Sequence, residues 1–336
     1  MSWVLVALLL VLLLVLIAEM INGWTDAPNA IVTVVSTGVL PVRTAIAMAV
    51  VFNIIGAASG TAVASTIGKG IVASSALTLP AIAAAMISVI AWGSFAGHNG
   101  IPVSKSHALV AGLAGAGLAT AGPDALLWSG WKLVLIGLVF SSFIGFTLSW
   151  VITKVVMIVA IGMASRGIHP ARLKRMFDRL QVCSATAMAW NHGLNDGQKF
   201  IGIFALVLLL GGFSDTFVIP WWVIVICSVT MGLGTMFGGL PIIRTVGMRM
   251  TKLMSWQGFA AELTASCIIF GVSQFGIPLS TTHSINSSIV GAAAAKNNRS
   301  VQWVVLGRII IAWISTFPVC GGLAFASALL ANRMFL

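Results

Sequence analysis

Along the chain, apolar runs close to 20 residues long alternate with short polar interruptions. That spacing predicts transmembrane helices rather than the short alternating strands of a barrel. Residues 3–21 predict a first span, retained in the protein because no basic segment precedes the apolar residues 2–18 and no cleavage site follows them. This run meets Asn22-Gly23-Trp24-Thr25-Asp26-Ala27-Pro28-Asn29, where Gly23 and Pro28 are expected to weaken or break the helical ladder. Backbone groups freed at membrane depth must line a cavity or be covered by protein. Further spans are predicted over 44–67 and 79–95, with 69–78 as a loop between them. Residues 108–119 are rich in Gly and Ala, which suits close helix packing. A turn follows at 121–124, and 127–160 holds one long helix or two short ones.

Two polar islands interrupt this oily background. Gly276-Ile277-Pro278-Leu279-Ser280-Thr281-Thr282-His283 has a partner 176 positions earlier, Gly100-Ile101-Pro102-Val103-Ser104-Lys105-Ser106-His107. Gly193-Leu194-Asn195-Asp196 likewise aligns with Gly23-Trp24-Thr25-Asp26 at a displacement of 170, and Arg308 with Lys132 at 176. Several matches in order at nearly constant displacement indicate a duplication. The expected organisation is a first membrane repeat over 1–165, a basic cytoplasmic linker over 166–180, and a second repeat over 181–336.

Composition supports the membrane reading. Of 336 residues, 59% are hydrophobic and only 7% charged, against about 25% charged in soluble domains. The net charge of +11 raises nucleic-acid binding, but the bases sit in short loops with no basic stripe between aromatics, so none is expected. Cys183, Cys227, Cys267 and Cys320 are widely spaced, form no CxxC and are expected to be small buried hydrophobes.

Charge placement also predicts the orientation of the copies. Arg244, Arg249 and Lys252 face a counterpart loop carrying only Lys69, and Lys296 and Arg299 one carrying only Asp124. Arg43, conversely, lies where the second copy has Asp215 and no base. Lys and Arg favour the cytoplasmic side, so equivalent loops are expected on opposite faces, as in the inverted repeats of secondary transporters. The N-terminus is then outside and the 166–180 stretch cytoplasmic. The expected fold is an all-α integral membrane protein of two inverted-topology repeats, with broken or re-entrant helices and about 10–12 membrane segments.

Glu19, Asp26, Asp196 and Glu262 lie in apolar surroundings, where each costs about 2.5–3.5 kcal/mol at a helix centre. Asp26 and Asp196 occupy equivalent places, and carboxylates on broken backbone suit Na⁺ or a transferable H⁺. The Ser/Thr clusters suit an anion instead. Helices starting after Pro102 and Pro278 would aim N–H groups, the positive dipole end and hydroxyls at one point. His107 and His283 fit either a ligand contact or a neighbouring helix. Lys105 stands where the other copy has Thr281, and either lends charge to an anion or takes the place of a coupling cation. Lys199, three residues past Asp196, raises the same question.

These paired motifs resemble those of the inorganic phosphate transporter (PiT) family of sodium- or proton-coupled symporters. The resemblance runs from Asn22 to about Pro318. The duplicated G-x-N-D-x-x-N-A element is matched by Gly23, Asp26, Asn29 and Ala30, and by Gly193, Asn195 and Asp196. The P-x-S-[ST]-[ST]-H element is matched by Pro278, Ser280, Thr281, Thr282 and His283, and in part by Pro102, Ser104, Ser106 and His107. Thr25, Lys199 and Lys105 depart from the pattern, and bear on the number of coupling cations. The resemblance implies a dimer in which phosphate binds between the Ser/Thr loops and cations between the Asp/Asn elements. Phosphate would then meet Ser104, Lys105, Ser106, Ser280, Thr281 and Thr282, and Na⁺ or H⁺ would meet Asp26, Asn29, Asn195 and Asp196. His107, His283, Glu262 and Lys199 are accessory candidates. No cofactor beyond the coupling ion is implied, and the expected setting is the lipid of the plasma or inner membrane. Three rivals remain: a sulfate carrier on the same scaffold, a passive anion channel, and a hydrolase using Ser104 with Lys105 or His107.

Overall fold

The computed structural model describes residues 3–70, Val72 and 77–335. It is helical nearly throughout. The first half holds α1 (Trp3–Thr25), α2 (Pro28–Ser36), α3 (Val42–Ala58), α4 (Ala62–Gly70), α5 (Leu79–His98), α6 (Lys105–Ala121) and α7 (Trp128–Ser165). The second holds α8 (Pro170–His192), a π-helical turn at Gly193–Gly197, α9 (Gln198–Leu210), α10 (Trp221–Met236) and α11 (Leu240–Arg244). A second π-helical turn at Thr245–Met250 leads to α12 (Ser255–Gln274), α13 (Thr281–Lys296) and α14 (Trp303–Phe335). Half of the predicted loop at 69–78 falls outside the described residues, and its first two residues belong to the end of α4.

Several expectations change in detail. Only residues 166–169 separate α7 from α8, so most of the basic 166–180 stretch is helical. Pro170 opens α8 at its first turn, where its missing N–H costs nothing. The 127–160 region is one helix of 38 residues, about 57 Å long. The 10–12 membrane segments expected include broken and re-entrant helices, and full-length crossings among the described residues are fewer. Five helices are long and apolar enough to cross, or seven if α3 with α4 and α10 with the 240–250 segment, bent by 68° and 61°, each count as one span. The difference has physical causes. α6 and α13, at 17 and 16 residues, are short for a bilayer core of about 30 Å. α12 carries Gln257 and Glu262, and α2 and α9 continue α1 and α8.

Two hydrophobic clusters hold the bundle together. One gathers α1, α4, α5, α6, α9, α10 and the C-terminal part of α14; the other gathers α2, α3, α8, α11, α12, α13 and the N-terminal part of α14. Each cluster therefore draws helices from both halves of the chain. The pairings are reciprocal: α13 packs on α7 as α6 packs on α14, and α1 crosses α10 as α8 crosses α3. Outside, Leu10, Phe143, Ile158 and Ile314 are exposed, as a lipid-facing surface requires. Trp128, Trp221 and Trp303 stand exposed at the starts of α7, α10 and α14, where an indole favours the membrane–water interface. Cys227 and Cys320 are buried as expected, whereas Cys183 and Cys267 lie on the outer surface, where lipid accepts a thiol as readily as a core does.

The two Gly-Ile-Pro elements have one explanation. Gly100 and Gly276 both have φ of +66°, a left-handed conformation that favours glycine. Each ends a helix: Ile101 N–H donates to Ala96 O at 2.8 Å, and Ile277 N–H to Val272 O at 3.1 Å, the long-range bond of a Schellman turn. The proline that follows carries the chain on without a donor, and Ser104 or Ser280 caps the next helix. Ser104 Oγ accepts from His107 N–H at 3.3 Å, and Ser280 Oγ from His283 N–H at 3.2 Å.

Candidate functional site

The centre of the molecule is where the N-termini of α6 and α13 meet two carboxylates. Asp26 lies in the turn between α1 and α2, and Asp196 in the π-helical turn between α8 and α9. Each is about 1% exposed. Asp26 Oδ2 accepts from the Lys105 N–H at 3.4 Å, in the first turn of α6, and its Oδ1 accepts from Thr282 Oγ1 of α13. Asp196 Oδ2 accepts from Thr281 Oγ1 at 2.5 Å, and its Oδ1 from Ser106 Oγ of α6 at 3.5 Å. Each carboxylate thus ties the starts of both short helices together.

The breaks that present these groups differ from expectation. Gly23 lies inside α1, and Gly193 opens the π-helical turn. A Cβ on Gly23 would strike the Met231 carbonyl of α10, and one on Gly193 would strike the Asn53 carbonyl of α3. Both glycines serve close helix crossing. The break in the first copy falls at Asp26–Ala27, before Pro28. In the second copy, with no proline, the backbone widens into the π turn instead.

The remaining predicted residues divide. Asn29 Nδ2 donates to Asp26 Oδ1 at 3.0 Å. Lys199 Nζ donates to Asp196 Oδ1, to Ser106 Oγ, and to the Leu279 carbonyl at 2.7 Å. The single Ser106 hydroxyl proton has Leu279 O, at 3.1 Å, as its alternative acceptor to Asp196 Oδ1. Asn195 turns away from the carboxylates and clamps the loop before α13. Its Nδ2 donates to Ser273 Oγ at 2.7 Å and Ile277 O at 3.3 Å, while its Oδ1 accepts from Leu279 N–H at 3.3 Å. Lys105 is buried, and among the described residues the hydrogen-bond acceptor of its ammonium is the Val103 carbonyl, at 3.5 Å, with the stem against Gly93 of α5.

His107 and His283 meet each other edge to face, 4.5 Å between centroids. His283 stacks on Trp313 at 3.7 Å, and His107 on Phe317 at 5.0 Å. Trp313 Nε1 donates to Pro102 O at 2.8 Å, fastening α14 to the chain break before α6. The histidines therefore stand in an aromatic layer, with His283 lining a cavity of about 450 Å³ beside Trp131 and Phe317. Glu262 accepts from Ser184 Oγ at 2.5 Å and from Thr33 Oγ1, joining α12 to α8 and α2. Glu19 accepts from Asn22 Nδ2 at 3.1 Å.

His192 escaped the sequence reading. Its Nε2 lies 3.2 Å from Asp196 Oδ2, and its Nδ1 lies 3.0 Å from Asn53 Oδ1. Asn53 Nδ2 in turn donates to Thr235 Oγ1 at 3.4 Å. One signal was available: His192 precedes Asp196 by four positions, so a helix places both on one face. Asp26, His192 and Asp196 each offer a ligand atom, all within 4.8 Å of one another, so the centre can accept a cation as well as donate to an anion.

The profile of the phosphate transporter family matches residues 22–167 and again 158–324. The chain belongs to this family. A probable low-affinity inorganic phosphate transporter of Bacillus subtilis is 36% identical over 338 residues, covering all of both chains. Another, of Rhizobium meliloti, is 38% identical and covers 89% of each chain. One from Mycobacterium tuberculosis is 36% identical over 94% of this chain and 75% of its own. Among solved structures, the sodium-dependent phosphate transporter superposes with a TM-score of 0.86 over 98% of this chain and 100% of its own, at 22% identity, which establishes the fold. The family is one of multi-pass membrane transporters, so the hydrolase expectation around Ser104 falls away. Ser104 Oγ is engaged as the cap of α6, accepting from His107 N–H.

Proposed function

We propose that this phosphate transporter imports inorganic phosphate by symport with Na⁺ or H⁺, alternating access around the junction of α6 and α13. The observation that carries the reading is the convergence of both helix N-termini on Asp26 and Asp196. Lys105 N–H, Ser106, Thr281 and Thr282 donate there, with Ser104 and Ser280 holding the helix starts in shape. A tetrahedral anion takes these same donors, and so displaces the two carboxylates from them. Two carboxylates and an anion in one dry centre repel strongly unless cations enter with the anion. Coupling follows from that competition.

Phosphate is favoured over sulfate by the same geometry. Carboxylate acceptors lie among the donors, and phosphate, unlike sulfate, keeps a proton to give them at neutral pH. Intramembrane carboxylates in the anion's path also favour coupled transport over passive conduction. The sodium dependence named for the structural neighbour supports Na⁺ as one candidate ion. The reciprocal packing of the halves and the paired bent helices support two inverted repeats, 1–165 and 181–336, that rock against each other. The protein would be a homodimer in the plasma or inner membrane, N-terminus outside and the basic 166–180 stretch cytoplasmic.

Radiolabelled phosphate uptake into proteoliposomes, under an imposed Na⁺ or H⁺ gradient, tests this reading. Uptake should follow one gradient and be blocked by excess unlabelled phosphate but not by sulfate. Uptake indifferent to both gradients would sink the symport, and sulfate uptake undiminished by phosphate would sink the substrate.

A further inference from the structure

The two Asp-centred copies differ at one matched position. Three residues after Asp26 stands Asn29; three residues after Asp196 stands Lys199. Both side chains are about 1% exposed, and both donate to Oδ1 of their aspartate. Asn29 Oδ1 is buried without a hydrogen-bond partner, and among the described residues Asp26 has no ion-pair partner within 4.0 Å. The first copy therefore offers a carboxylate and a spare amide oxygen with no counter-charge in contact. Lys105 is the cation that acts most strongly on Asp26, but it does so from beyond ion-pair distance, with its ammonium 3.5 Å from the Val103 carbonyl.

The second copy is complete. Three oxygens from three separate segments close on the Lys199 ammonium: Asp196 Oδ1, Ser106 Oγ and Leu279 O. A carboxylate, a hydroxyl and a carbonyl from unwound backbone form the donor set that a small monovalent cation takes in broken-helix transporters. Here a side chain of the same protein holds it, and a second cation at that point would meet a like charge at contact distance.

We propose that Lys199 is a tethered cation occupying the Asp196 place, so that the exchangeable coupling cation binds only at the Asp26–Asn29 copy. The ammonium neutralises Asp196 through the whole cycle and never crosses the membrane. The protein then moves one fewer positive charge per phosphate than a carrier with an open place in both copies. Ser106 gains a double duty: it contacts the ammonium and, on the phosphate reading above, the anion, so the fixed charge sits beside the substrate.

This inference rests on that phosphate reading, and the test separates the two. Equilibrium accumulation of radiolabelled phosphate in proteoliposomes is measured against an imposed membrane potential. Each additional co-transported charge multiplies the accumulation ratio by about 50 per 100 mV. Lys199→Asn gives the second copy the residue of the first and should carry one more charge per phosphate, whether Na⁺ or H⁺ fills the place. Asn29→Lys, the reciprocal change, should carry one fewer. Equal slopes in all three proteins overturn the proposal, and so does loss of phosphate exchange from both variants. Unaltered protein that neither accumulates nor exchanges phosphate refutes the underlying reading instead.

Discussion

The Lys199–Asp196 pair makes a quantitative prediction about stability. Both side chains are buried and in direct contact, with relative exposures of 1% and 2%. Removing one member of such a pair strands a charge in a low-dielectric site and costs about 3–5 kcal/mol. Unfolding entropy near 2.1 cal/mol/K per residue gives about 0.7 kcal/mol/K for 336 residues. Each single substitution should therefore lower Tm by about 4–7 °C. Asp196→Asn should lie toward the larger value, because only neutral oxygens then surround the ammonium. Lys199→Met should cost less, because His192 remains 3.2 Å from Asp196. The double variant removes both charges and should recover at least about 2 kcal/mol relative to the sum of the singles. Thermal unfolding of purified protein in detergent, followed by tryptophan fluorescence, reads all four corners of the cycle. Additive effects, with the double variant as damaged as the two singles combined, would refute a paired charge at this site.

Other outcomes follow from the same contacts. Thr281→Val and Ser106→Ala each remove a donor, worth about 1.5–3 kcal/mol toward a charged acceptor, and should raise the KM for phosphate uptake by about 10- to 100-fold. Gly193→Val drives a side chain into the Asn53 carbonyl of α3 and should cost about 1–3 kcal/mol or more, seen as a lower Tm and a poor folded yield. Glu262→Ala leaves Thr33 and Ser184 without their shared acceptor and should lose about 1–3 kcal/mol, whereas Glu262→Gln, which keeps an acceptor in place, should retain most of the stability in the same assay.

How much of this was legible in the sequence depended on whether a residue acts locally or across space. The Schellman glycines and capping serines are what the structure adds. The Gly-Ile-Pro elements were readable as helix breaks with a new helix beyond each proline, because they are features of consecutive backbone. So were the equivalence of Asp26 with Asp196 and the helix starts at Lys105 and Thr281. Gly23 was misjudged: its surroundings suggested a helix break, while its purpose is the passage of α10, a partner more than 200 residues away in sequence. The contacts of Asn195 were not legible for the same reason, since its side chain reaches Ser273, Ile277 and Leu279, about 80 residues on. His192 carried one local signal, its i,i+4 spacing to Asp196, but its second partner, Asn53, lies 139 positions away and shows only in the fold.

The chain carries two matched sets of residues at its centre, 170 positions apart, and the differences between them have a direction. Where the first copy has Thr25 the second has Asn195, where it has Asn22 the second has His192, and where it has Asn29 the second has Lys199. Asn22 gives Asp26 only a backbone bond, its carbonyl accepting from the Asp26 N–H at 2.8 Å, while His192 brings a ring nitrogen to Asp196. All three changes add contacts around the second carboxylate or the loop beside it. Asp26 keeps a hydroxyl, an amide and a helix N–H as its only bonded neighbours among the described residues. A carboxylate hydrogen-bonded by neutral donors, with Lys105 acting on it from beyond ion-pair distance, can take and release a cation as the site opens to either side. One already matched by an ammonium cannot do so without losing that pair. In the proposed cycle the asymmetry therefore assigns the aspartates different work: Asp196 and Lys199 shape and charge the anion site, and Asp26 carries the coupling.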